Sequence, residues 1–229
     1  MKRSWSTSTS WTLLFNKVAA RFFLGILTLI LSRTSSAQFL EADLLSRSSL
    51  LKSANCEVSY YDLKAESLGA LSSQMGKLGP IDYNGKRRDA FLKWHIWWTW
   101  PVDKAGDPDF ERVRASYRAT LYFPRWINID DASQRDQKEW QRYITSLLKH
   151  EEQHVNNVLM HFKDTANAIA SAARRDPNLT YKGANTVGRE VLSKIRRLDA
   201  KLDQETNHGE TQGARLVVVH EGERQNTVR

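Results

Sequence analysis

One cysteine, Cys56, occurs in the 229 residues, so no disulfide can form within the chain. A lone cysteine in an exported protein is a free thiol, an intermolecular bridge or a small buried hydrophobe. The last is the expectation here. Cys56 does not suit lipid attachment, because it follows Ser53-Ala54-Asn55 well beyond the only marked apolar run. That run, Phe22 to Leu31, is too short for a comfortable transmembrane helix. Acidic residues are absent from the first 37 positions. Internal repeats and low-complexity tracts are absent throughout.

The acid-free segment has a character of its own. Lys2, Arg3, Lys17 and Arg21 form a basic region, the apolar run follows, and Ser35-Ser36-Ala37 offers small residues. This pattern predicts a signal peptide over residues 1–37, with export to the periplasm or beyond and no stable membrane insertion after cleavage. The segment also dominates the charge. The chain carries +8, and Lys2, Arg3, Lys17, Arg21 and Arg33 supply five of those charges, leaving +3 for the remainder. The basic balance is therefore no argument for nucleic acid. The remaining length suits one domain with its own core.

Residues 38–57 carry several serines and scattered leucines and read as a linker, with a short helix over Phe39 to Leu51. A domain is expected over 58–216 and a disordered tail over 217–229. A strand is expected at Val58 to Leu63. A helix follows at Ser67 to Leu78, stopped by Gly79-Pro80. From Phe91 to Trp100 apolar residues fill the even positions, and from Arg112 to Phe123 the odd ones. These two runs predict an antiparallel hairpin with one face covered. Pro124-Arg125-Trp126 should close it. The tryptophans here read as core, except Trp97, which falls on the outward side. A long helix is expected from Ser133 to Arg174, with Trp140, Ile144, Leu147, Val158, Phe162 and Ile169 on one stripe. A last helix is expected at Thr186 to Glu205, after a loop through Gly183.

The long helix holds His150-Glu151-Glu152-Gln153-His154, the H-E-x-x-H pattern. Two histidines four apart share one helix face and can hold one Zn²⁺, while the Glu can act as general base toward a metal-bound water. At about 100° per residue, His150, His154 and His161 fall within about 40° of one another, beside the apolar stripe. Glu151 falls inside the stripe. A carboxylate there is costly unless it meets a metal-activated water or hydrogen-bond donors. Glu152 and Gln153 point away and read as solvated surface.

A catalytic zinc needs a third protein ligand and an open position. The candidates are His161, His208, His95, Asp203 and Glu205. His161 lies on the right face but about 10 Å along the axis from His154, too far for one ion. His208, in a loop just past the last helix, is the favoured third ligand.

The run Tyr60-Tyr61-Asp62, Gly79-Pro80, Lys93-Trp94, Pro124-Arg125-Trp126, Trp140, Tyr143 and His150-Glu151-Glu152-Gln153-His154 resembles a bacterial family of predicted secreted zinc-dependent proteases, catalogued as domain of unknown function 922. Asp203-Gln204-Glu205-Thr206-Asn207-His208-Gly209 is similar to its C-terminal signature. The resemblance spans about Val58 to Leu216. It implies zinc, export and peptidase activity, and it points to His208 by matching position. The longer zincin pattern is missing, since Asn157 and Met160 stand where its Gly and third His would.

The expected architecture is an α+β, zincin-like domain: a small antiparallel sheet, a long active-site helix and a supporting C-terminal helix. The expected function is an exported peptidase acting on a protein or peptide substrate, with Zn²⁺ on His150, His154 and His208 and Glu151 as base. The rivals are a non-catalytic exported zinc module and a membrane-anchored, metal-free cell-envelope protein whose Trp-rich sheet binds a partner or glycan. Oligomeric state is not legible in the sequence.

Overall fold

A computed structural model describes residues 43–52 and 56–218. The expected leader, 1–37, and the end of the expected tail lie outside them. The architecture is α+β. Strand β1 (Cys56–Leu63) leads to helix α1 (Leu68–Leu78), then strands β2 (Phe91–Thr99) and β3 (Arg114–Trp126), then the long helix α2 (Gln134–Arg175) and helix α3 (Tyr181–Thr206).

The sheet order is β1-β3-β2. β2 pairs antiparallel with β3, Trp94 opposite Ala119 and Ile96 opposite Tyr117. The alternation survives folding: Leu92, Trp94 and Ile96 are buried, while Lys93, His95 and Trp97 are exposed. The sheet is nevertheless mixed, because β1 pairs parallel with β3. The chain crosses from β1 through α1 and all of β2 before β3 begins, so β3 can return in the direction of β1. β3 also continues through Pro124 to Trp126, where a stop was expected. Its pairing with β2 ends at Tyr122, but β1 accompanies it to Trp126. Pro124 thus sits where β3 has one neighbour, a place that tolerates a missing N–H.

α2 contains no Gly or Pro over 42 residues, so nothing breaks it for about 63 Å. Ser133 caps its start, accepting from the Asp136 N–H. Its apolar stripe lies under the sheet: Trp140, Tyr143, Ile144 and Val158 are fully buried with Leu121, Phe123 and Trp126. Phe162 is only partly buried, tilted against Tyr117. α3 begins earlier than expected because Thr180, not a later residue, caps it by accepting from Gly183 N–H. Gly183 is therefore in the first helical turn. At the far end of the helix pair a second cluster gathers Phe110, Val113, Ile169, Ala170 and Ala184.

Part of the expected linker belongs to the domain. Residues 43–47 are helical, and Leu45 and Leu51 are buried in the main core. Cys56 is half-buried against the same core, and burial, helped by Glu57, pushes its thiol up to about 11. Val217, assigned to the tail, donates its N–H to Glu139 Oε1 at 2.7 Å. No helix among the described residues is long and apolar enough to cross a membrane.

Candidate metal centre

α2 brings His150, Glu151 and His154 to its buried face, with 2%, 4% and 8% exposure. α3 packs on α2 and sets Asp199 and Asp203, one helical turn apart, opposite them. His154 Nδ1 lies 3.1 Å from Asp199 Oδ1. His150 Nδ1 lies 3.1 Å from Gln212 Oε1, in the segment after α3. Both partners are acceptors, so each Nδ1 carries a hydrogen and each Nε2 is the nitrogen that faces the metal group. Orientation of this kind, by a carboxylate or an amide oxygen, is what metal-ligating histidines require.

The two Nε2 atoms point at one place. They stand 3.3 Å apart, and Asp203 Oδ1 lies 3.2 Å from His150 Nε2 and 3.1 Å from His154 Nε2. Ligands held at about 2.0–2.1 Å around a tetrahedral ion are about 3.3 Å from one another. The three atoms therefore match one face of a tetrahedron around an ion of zinc's size. His150, His154 and Asp203 form the group that could hold a metal among the described residues.

His208, the favoured third ligand in the sequence, stands beside this group. Its Nδ1 is 3.4 Å from Asp203 Oδ1, and its side chain is 45% exposed. The reason is the helix end. Asp203 is still helical and faces α2, whereas Asn207 and His208 turn left-handed, at φ 49° and 53°, and lead the chain away. His161 stands outside the group, as its height along the helix foretold, and pairs with Asp164 at 2.9 Å. His95 faces outward on β2, stacked on Trp97. Glu205 is exposed.

Two contributors escaped the sequence pattern. Asp199 orients His154, and Gln212 orients His150. Gln153, read as solvated, donates to Gln212 Oε1 at 3.1 Å and helps to hold it. The four-residue spacing of Asp199 and Asp203 was the available signal for the first. Gln212 had none, because its position depends on how the loop after α3 folds back.

The electrostatics suit a cation. Burial works against the charged form of His154, but hydrogen bonds to Asp199 and Asp203 outweigh it and push the ring up to about 10. Burial works upward on Asp203, yet the hydrogen bonds to His150 and His154 hold it well below the usual carboxylate range. Glu151 moves the other way: burial raises it, against the pull of His154 and His150. Its Oε2 is buried without a hydrogen-bond partner. An unpartnered buried carboxylate oxygen is costly unless a ligand or water completes it.

All these groups line one cleft of about 450 Å³, which Tyr83, Phe91, Trp94 and Arg196 also line. The free edge of β2 borders it. There the Tyr83 hydroxyl meets both the N–H and the C=O of Trp94, at 3.3 and 3.2 Å.

A family model described as a bacterial protein of unknown function (DUF922) matches residues 58–209. The chain belongs to this family. The match runs from Val58, within β1, through β2, β3 and both long helices to Gly209, and so contains His150, Glu151, His154, Asp199 and Asp203. No curated protein matches the chain, and no solved structure does.

Proposed function

We propose that the chain is an exported zinc-dependent peptidase. The observation that carries this reading is the triangle of His150 Nε2, His154 Nε2 and Asp203 Oδ1, edges 3.1–3.3 Å, beside the unpartnered Oε2 of Glu151. His150, His154 and Asp203 would hold the ion. A bound zinc supplies Lewis acidity toward a carbonyl oxygen and makes water a stronger acid. The chain's own groups do the rest. Glu151 Oε2 takes the proton from the attacking water and returns it to the leaving amine. Its raised pKa, a consequence of burial, brings it toward the range a general base needs. Asp199 and Gln212 keep the histidines in the metal-binding tautomer. The cleft takes an extended peptide beside β2, past Trp94, whose backbone groups the Tyr83 hydroxyl already holds.

Export rests on the basic and apolar pattern of residues 1–37. The second reading is a non-catalytic zinc module. Its support is His208, whose Nδ1 stands 3.4 Å from Asp203 Oδ1 and would fill the fourth position, leaving none for water.

The discriminating experiment compares zinc-loaded chain with Glu151→Gln on a mixed peptide pool, read by mass spectrometry. The peptidase reading expects cleavage by the first, a loss of at least about a hundredfold in the second, and equal zinc in both. Cleavage by neither supports the non-catalytic module, and equal cleavage by both removes Glu151 as the base.

A further inference from the structure

The cleft has a second charged element, away from the metal group. Arg196 lies on α3 seven residues before Asp203, almost the same helix face and about 10 Å along the axis. Its guanidinium stands 5.6 Å over the ring of Trp94 and 6.0 Å over that of Tyr83. Both rings are anchored. Trp94 Nε1 donates to Asp199 Oδ2 at 3.0 Å, and the Tyr83 hydroxyl is tied to the backbone of Trp94. The cation is therefore held in place by the faces of two fixed aromatics.

What Arg196 lacks is an anion. No hydrogen bond or ion pair among the described residues engages it. Three acids that share its cleft are occupied, and Glu151 is buried at the metal group. Asp82 pairs with Arg88 at 2.8 Å, Asp89 accepts from Tyr143 at 2.6 Å, and Asp199 serves His154, Asn157 and Trp94. A guanidinium that is oriented, solvent-facing and unmatched in a cleft is a site for a planar oxyanion.

We infer that Arg196, framed by Trp94 and Tyr83, is a subsite for a substrate carboxylate. The inference rests on the peptidase reading for its substrate class. An acidic side chain and a free C-terminus present the same chemistry there.

The test measures binding without turnover, on the zinc-loaded Glu151→Gln chain. The probes are fluorescein-labelled alanine–leucine hexapeptides with one Glu moved through each position. Their neutral twins carry Gln instead, and every peptide is made with a free or an amidated C-terminus. The expected result is about a tenfold tighter Kd for a carboxylate at one register than for its neutral twin. Arg196→Met should abolish that difference, and Arg196→Lys should keep part of it. A winning internal Glu identifies a side-chain site; a winning free terminus identifies a chain-end site. Equal affinities, or no binding by any peptide, overturn the subsite. So does a preference that survives Arg196→Met, because the carboxylate then sits on the metal group. A preference that disappears with Arg196, in a chain whose native form cleaves none of these peptides, leaves the subsite standing and removes the peptidase reading.

Discussion

Gly209 lies against the ring of His150: a Cβ on Gly209 would stand 2.8 Å from His150 Cγ and 3.1 Å from its Cβ. Its φ of +86° also disfavours any other residue. Gly209→Ala should therefore strain the turn by about 1–2 kcal/mol and push the His150 ring out of line with its partners. Zinc affinity, read by competition with a chromogenic chelator, should drop about tenfold or more. An unchanged affinity would mean that the turn does not position His150.

Gln212 acts on the same ring from the other side. Gln212→Leu removes the acceptor for His150 Nδ1 and leaves a polar hydrogen with no partner. Loss of such an outer partner lowers metal affinity by about 10–100-fold. The metal-free protein should melt only modestly lower, since one buried N–H loses its partner at a cost of about 1–3 kcal/mol. A large fall in that temperature with unchanged affinity would assign Gln212 to stability instead.

Much of this centre was legible before folding. The H-E-x-x-H spacing and the apolar stripe placed His150, His154 and Glu151 on the buried side of α2, and all three are there. The helix start was placed at Ser133, one residue before Gln134, because Ser133 is its cap. The alternation from Phe91 onward located β2 and its covered face. The third partner was harder. Asp203 and His208 were both candidates, and choosing between them needs the register of α3 against α2 and the left-handed exit at Asn207. Neither is written in a local pattern. Gln212 was invisible for the same reason. The parallel pairing of β1 was missed because nothing within a strand records its neighbour's direction.

The segment carrying Gln212 is strapped to α2 by Glu139 and Arg142. Arg142 Nη1 donates to the carbonyl of Gly213, and Glu139 Oε1 accepts from Val217 N–H. The hydrogen bond from Arg142 holds Glu139 below its usual range, against the upward pull of burial. A carboxylate lowered in the folded state stabilises above its unfolded value, about 4.5, and loses that contribution as pH falls through the folded value. Glu139→Gln should melt lower than native chain at neutral pH, and the two melting curves should converge below about pH 4.5. Parallel curves across that window would contradict the strap.

Gly188 lets α3 lie close to the sheet. A Cβ there would stand 2.6 Å from Trp98 Cζ2, and Trp98 is fixed by its Nε1–H to Asn185 Oδ1 at 3.0 Å. Alanine is the better helix former by about 1 kcal/mol, but overpacking a fixed ring costs about 1–3 kcal/mol. Gly188→Ala should thus destabilise in urea unfolding or come out near neutral. A clear gain in stability would show that α3 does not seat on Trp98 as described.

The central claim is that His150, His154 and Asp203 together hold one zinc ion. Zinc content per folded chain, measured by plasma mass spectrometry on the native protein and on Asp203→Ala and His208→Ala, tests it directly. The account predicts about one zinc in the native chain, almost none in Asp203→Ala and near-native content in His208→Ala. A folded native chain without zinc would contradict it, and so would an Asp203→Ala variant that keeps its zinc while His208→Ala loses it.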